Sequence, residues 1–180
     1  MTTQGSGETD TAVHVGSQLV EAGETVATAE SITGGLVAKR LTDVPGASEY
    51  VHGGMITYAY DAKRTMLGVS RETLDATGAV SEQTAVEMAQ GIRDRTDTSW
   101  GVAVTGIAGP GGGSAAKPVG TVYIAIAYAA PWGSNASYAT ATGYHFDGDR
   151  ETIRLQAAER ALLELAAAMD EQRRRHGFHS

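Results

Sequence analysis

The chain has 180 residues, 42% of them hydrophobic, no cysteine, and a formal net charge of −7 with a pI of about 5.2. That length and composition suit one globular domain with a real core and exclude a disordered chain. The missing cysteine excludes a disulfide framework, a thiolate zinc site and a cysteine nucleophile, and the acidic balance argues against general nucleic-acid binding.

Taken in order, residues 1–11 are rich in Gly, Thr and Ser and are expected to be a disordered tail. They carry neither the basic region nor the apolar core of a secretory signal, and no run along the chain reaches membrane-spanning length, so a cytoplasmic protein is expected. His14–Ala22 reads as a first helix, with Val15 and Leu19 on one side and Gly23 just past its end. Thr25–Thr28 is a short strand. Glu30, Ser31, Thr33, Gly34 and Gly35 then turn the chain into a helix marked by Leu36, Val37 and Leu41, and Pro45-Gly46 ends it.

Tyr50–Tyr60 reads as a strand in which Gly53-Gly54 marks a bulge or a close backbone approach. Asp61–Leu67 is a short helical turn ended by Gly68, and Ser70–Thr77 is another helical turn or a loop. Ser81 is a good N-cap for a longer helix with Ala85, Met88, Ala89 and Ile92 on one face. Ser99–Thr105 reads as a strand, Gly106–Lys117 as a glycine-dense loop, and Val119–Tyr128 as a central buried strand. Ser137–Phe146 alternates like a strand half exposed to water. Asp149–Met169 is the longest helix, with Asp149 as a candidate cap, and residues 171–180 form a basic, solvated tail.

Strands and helices thus alternate until the last two strands, which a short turn joins. The expected fold is a three-layer α/β/α sandwich on a mixed sheet of about five strands, with residues 12–170 as a single domain.

In open α/β sheets, ligands collect at the carboxyl ends of parallel strands. Ser31, Lys63 and the Thr105 loop all follow expected strands, so parallel pairing puts them on one rim. A serine hydroxyl needs a base, and none of His14, His52, His145, His176 and His179 falls in a recognisable triad pattern. The other known arrangement is a Ser–Lys pair, which requires a desolvated, neutral lysine. Lys63 meets that condition if it points inward, and Tyr58 can then pass or hold the proton. The plainer alternatives are that Ser31 or Thr33 is an ordinary N-cap, that Lys63 is solvated, and that Tyr58 is a core aromatic.

Gly109-Pro110-Gly111-Gly112-Gly113 exposes backbone N–H groups in the manner of an anion-binding nest, or forms a flexible surface loop. Neither a P-loop nor a dinucleotide fingerprint is present. Arg150 can grip a phosphate or carboxylate, or stand exposed in the first turn of the last helix. No His/Asp/Glu cluster has metal-ligand spacing.

Several motifs occur together and in order: Thr28-Ala-Glu-Ser-Ile-Thr-Gly-Gly35, Gly54-Met-Ile-Thr-Tyr58 through Lys63 to Val69, Gly78-Ala-Val-Ser-Glu82, and Val104-Thr-Gly-Ile-Ala-Gly-Pro-Gly-Gly-Gly113 with Lys117-Pro-Val-Gly-Thr121. Together they resemble the CinA C-terminal domain family, in its stand-alone form without the extra N-terminal domain of larger members. That resemblance implies deamidation of nicotinamide mononucleotide to nicotinate mononucleotide and ammonia, in pyridine nucleotide recycling. It implies Ser31 as nucleophile, Lys63 as base and Tyr58 beside them, with Ser48, Thr105 and Arg150 as substrate contacts.

Backbone groups at the Ser31 turn (Thr33, Gly34) or at Thr105-Gly106 are expected to face the oxyanion. The phosphate is expected in the nest at Gly111 and Gly112, or at the N-terminus of the second helix. No cofactor and no metal is called for; the expected partners are a small nucleotide substrate and further copies of the chain, with neither nucleic acid nor membrane. Ile32 stands where the family commonly has Cys and is expected to face the core. The alternative function is a nucleotide-binding module without catalysis, for which Ser31 and Lys63 need not meet.

Overall fold

A computed structural model describes residues 6–175 and 177. Five strands form one sheet in the order β2-β1-β3-β4-β5: β1 Val26–Glu30, β2 Val51–Ile56, β3 Trp100–Gly106, β4 Thr121–Tyr128 and β5 Tyr138–His145. β2 and β3 both pair parallel to β1, β4 pairs antiparallel to β3 and β5 antiparallel to β4, so β4 alone runs against the other four strands. The expected mixed five-stranded α/β sandwich is therefore what the chain forms.

One face is covered by α1 Ser6–Ala22, α2 Leu36–Thr42 and α6 Arg150–Arg175; the other by α3 Tyr60–Leu67, α4 Arg71–Thr77 and α5 Glu82–Thr96. The alternation within each strand assigns side chains to the two faces. Trp100, Val102, Val104, Val122, Ile124 and Ile126 pack toward α1, α2 and α6. Toward α5 the sheet offers Ala27, Ala29, Ala103, Ala125 and Ala127 instead. These small residues let α5 sit close: a Cβ on Gly101 would lie 2.2 Å from the Ala89 carbonyl oxygen, and one on Gly91 2.0 Å from that of Leu67.

The expected punctuation holds at several points. Ser81 caps α5 by accepting from the Thr84 amide, and Gly68 ends α3 in the left-handed region at φ 76°. Asp149 caps α6 by accepting from the Thr152 amide at 2.8 Å, which holds its carboxyl below the ordinary range. In β2 the register against β1 slips once, between Val26 and Ala27, and a Cβ on Gly54 would lie 2.6 Å from Thr28 Oγ1. The glycine pair thus marks both a bulge and a close approach.

Three segments differ from expectation. α1 begins at Ser6, so residues 6–11 are helical rather than a loose tail, while 1–5 lie outside the described residues. Its first half is anchored because Ala12 is buried and Thr11 Oγ1 donates to Glu159 on α6 at 2.7 Å. α6 runs on through Arg175, because Gln172 is buried and Arg173 donates to the Gln18 carbonyl of α1 at 2.9 Å. The rest of the expected basic tail lies outside the described residues, apart from Gly177. β2 stops at Ile56, where the Thr57 amide turns to the Glu30 carbonyl and the chain leaves the sheet.

Candidate active site

Because β1, β2 and β3 are parallel, their carboxyl ends share one rim, and Ser31, Thr57-Tyr58 and Gly106 are the first residues past or at those ends. The turn after β1 is fixed by Glu30. Its buried carboxylate accepts from the amides of Gly35 at 3.1 Å, Val37 at 3.0 Å and Ala38 at 3.0 Å, and from Thr28 Oγ1 at 3.3 Å. A negative charge there satisfies the open amides at the start of α2 and complements the helix dipole. Neither Ser31 nor Thr33 is therefore the cap: the N-cap position is Gly35, which has no side chain to offer. The same contact corrects the expectation of a phosphate at the start of α2, since those amides already hold an anion.

Freed from capping, Ser31 points the other way. Positions 27, 29 and 31 share one face of β1, and the Ser31 hydroxyl meets Lys63 Nζ at 3.0 Å. Lys63 is 0% exposed, so the solvated alternative fails. Its amine also donates to the carbonyls of Thr57 at 2.6 Å and Tyr58 at 3.3 Å. Burial pushes its pKa down to about 8. A neutral amine has two N–H donors and one lone pair. The two carbonyls take the donors and leave the lone pair for the Ser31 proton.

Tyr58 is not a relay between them. Its side chain is 65% exposed, and its phenol oxygen accepts from Arg150 Nη2 at 3.4 Å; what it gives Lys63 is its backbone carbonyl. Arg150 also donates from Nη1 to the Gly109 carbonyl at 2.8 Å, so it ties the glycine loop to Tyr58 across the rim. In that loop Gly111 and Gly112 are exposed, Gly112 has φ 85°, and the amides of Gly111, Gly112 and Gly113 donate no hydrogen bond among the described residues. Lys117 closes the loop by donating to the Thr77 carbonyl at 2.7 Å.

Thr105 is buried and its hydroxyl donates to the Ala79 carbonyl at 2.7 Å, so toward a ligand it can only accept. Gly106 follows it at the rim, where a Cβ would lie 2.9 Å from Ile32 Cδ1; Ile32 itself is buried in the core as expected. Thr33 is buried with its hydroxyl unpartnered among the described residues. Gly34 is exposed on the turn at φ 57°.

Ser48 is not brought to this rim. It is exposed in the short turn Ala47–Glu49 that leads into β2, at the amino end of the sheet. His52 bonds the Thr96 carbonyl from the start of β2, and His145 lies beside Asp147 past Thr121, so neither serves Ser31. No group of three His, Asp or Glu side chains converges among the described residues, nor is any described helix long and apolar enough to cross a membrane.

Arg154 carries no sequence motif of its own, yet it reaches the turn from α6. Its Nε donates to the Ile32 carbonyl at 3.0 Å and its Nη2 to the Thr33 carbonyl at 3.2 Å. Its only advance signal is its spacing: one helical turn after Arg150, it falls on the same face of α6.

The arrangement has relatives. A family model described as the CinA C-terminal domain matches residues 8–169. A putative competence-damage inducible protein of Desulforudis audaxviator is 59% identical over 115 residues, 64% of this chain and 28% of that one. A CinA-like protein of Chlorobium limicola is 48% identical over 160 residues, 88% of this chain and 37% of its own length. The chain thus spans about a third of the curated relatives it matches. Among solved structures, a competence/damage inducible protein from Agrobacterium tumefaciens superposes with a TM-score of 0.84 at 42% identity, over 94% of this chain and 99% of that one. One from Enterobacter asburiae gives 0.83 at 33% identity, over 90% and 98%. With nearly its whole length inside the matched span, the chain belongs to the CinA C-terminal domain family.

Proposed function

We propose that the protein is a metal-independent amidohydrolase that deamidates nicotinamide mononucleotide to nicotinate mononucleotide and ammonia through a Ser–Lys pair. The observation that carries this reading is the buried Lys63 amine, 3.0 Å from the Ser31 hydroxyl, with its pKa lowered to about 8. A lysine in water is almost wholly protonated at neutral pH, whereas this one is neutral in about one molecule in ten at pH 7. That fraction suffices for a general base.

In this reading Lys63 takes the Ser31 proton as Oγ attacks the carboxamide carbon. The resulting oxyanion faces turn amides: those of Ile32, Thr33 and Gly34 donate no other hydrogen bond among the described residues. Lys63 returns the proton to the departing nitrogen, which leaves as ammonia. Water, deprotonated by the same amine, then cleaves the Ser31 ester to the acid. The open amides of Gly111–Gly113, with Arg150 behind them, suit the substrate's phosphate.

The test is ammonia release from nicotinamide mononucleotide by purified protein. Steady turnover that disappears in a folded Ser31→Ala variant supports the assignment. Tight binding of the nucleotide with no ammonia released, at enzyme concentrations equal to substrate, would make the protein a binding module instead.

A further inference from the structure

Arg154 is spent on two successive carbonyls of one turn, those of Ile32 and Thr33. In a trans peptide the N–H points opposite to the C=O of the same unit. The unit whose oxygen is Ile32's carries the Thr33 amide, and the unit whose oxygen is Thr33's carries the Gly34 amide. Arg154 therefore fixes both of these amides to point away from α6. α6 covers the face toward which Ile32 packs, whereas Ser31 belongs to the opposite face with Ala27 and Ala29. The two amides are thus turned toward the side on which the Ser31 hydroxyl emerges.

Gly34 completes the device. Its φ of 57° is one that L side chains rarely adopt, and a Cβ there would lie 3.0 Å from Arg154 Nη2. The turn is thus bare where the guanidinium approaches. Glu30 holds the amides of Gly35, Val37 and Ala38, and the Leu36 amide between them donates to the Thr33 carbonyl at 3.2 Å beside Arg154, so the turn is gripped on its carbonyls from one side and on its later amides from another.

We propose that Arg154 is a positioning residue that aims the Thr33 and Gly34 amides at the oxyanion formed when Ser31 attacks an acyl group. It acts through the backbone and touches no substrate atom itself. The proposal rests on Ser31 being the nucleophile but not on which amide is hydrolysed.

Two readouts separate those questions. The first is turnover of nicotinamide mononucleotide. The second is the rate at which a small fluorophosphonate phosphonylates Ser31, displacing fluoride, since the phosphoryl oxygen occupies the same place as a carbonyl oxyanion. Removing an oxyanion donor outright costs about 10²–10³ in rate, and misaiming two costs about 10–100-fold. Arg154→Met is expected to slow both reactions by that factor, with KM within about twofold and the midpoint of the pH profile unmoved. Arg154→Lys, able to hold one carbonyl at a time, is expected to recover part of the loss and to keep the fold if the methionine variant does not.

Wild-type rates in a folded Arg154→Met would overturn the proposal. So would a loss lying wholly in KM, or a shifted pH midpoint, which would mean that Arg154 acts on Lys63 instead. If the wild-type protein releases no ammonia yet phosphonylates at Ser31 with the expected dependence on Arg154, the substrate assignment fails and the positioning role stands.

Discussion

Glu30 and Ser31 are neighbours in sequence, yet their side chains leave the end of β1 on opposite sides. The carboxylate goes to the amides at the start of α2, and the hydroxyl goes to Lys63. The helix dipole is thereby met by Glu30 and not by Ser31, the proposed nucleophile. Glu30→Gln turns an amide N–H₂ or a weaker carbonyl toward three backbone donors. It is expected to cost about 2–4 kcal/mol of stability, read by urea denaturation, from the lost charge-assisted bonds and unsatisfied donors.

On the proposed mechanism the neutral Lys63 amine is the active form, so kcat/KM, which reports the free enzyme, is expected to rise with pH through a midpoint of about 8. Lys63→Met is expected to reduce kcat by about 10³-fold or more and to abolish that midpoint, measured by ammonia release between pH 6 and 10.

Burial of the same amine also governs folding. Lys63 titrates near 8 in the native protein and near 10.5 when unfolded. Between those values the unfolded chain binds more protons, so stability rises with pH. The contribution is complete above the unfolded value and is lost as pH falls through about 8. Below that point the buried ammonium costs about 3 kcal/mol, since each tenfold change in proton affinity is worth roughly 1.4 kcal/mol. The difference in unfolding free energy between wild type and Lys63→Met, measured from pH 7 to 10.5, should follow this curve; a difference independent of pH would contradict it.

Tyr58 contributes a carbonyl to Lys63 and a phenol to Arg150. Tyr58→Phe keeps the first and loses the second. A rise in KM of a few fold, with the pH midpoint unmoved, is expected from steady-state kinetics. A shifted midpoint would restore the phenol to the proton route.

Gly91 faces the end of α3 with no room for a methyl group: a Cβ added there would lie 2.0 Å from the Leu67 oxygen. Gly91→Ala gains helix propensity of about 1 kcal/mol. It must nevertheless push α3 and α5 apart, and a net loss of about 1–3 kcal/mol is expected in thermal or chemical unfolding.

Much of this was legible in the residues, and the parts that were not have specific causes. Punctuation by Gly, Pro and Ser located nearly every element, and parallel strands sufficed to bring Ser31, Lys63 and Gly106 to one rim. The burial of Lys63 was open, because lysine is rarely buried and only the turn at Thr57 aims it inward. Ser48 was misplaced because the connection from α2 must return to the amino end before a parallel β2 can begin. Arg154 was missed because, in a long amphipathic helix, an arginine reads as a solvated side chain until the neighbouring turn is seen. The extents of α1 and α6 were underestimated because each end is held by the other helix, through Thr11–Glu159 and Arg173–Gln18, and not by local periodicity.

The chain has three lysines, and two of them spend their amines on backbone carbonyls at the rim. Lys39, paired among the described residues with Asp43 alone, is the most open side-chain amine of the three. A mild acylating reagent should therefore tag Lys39 first, half-buried Lys117 next, and Lys63 only when the rim breathes. Peptide mass spectrometry that follows the tag on Lys63 itself would time the opening of the pocket without any substrate.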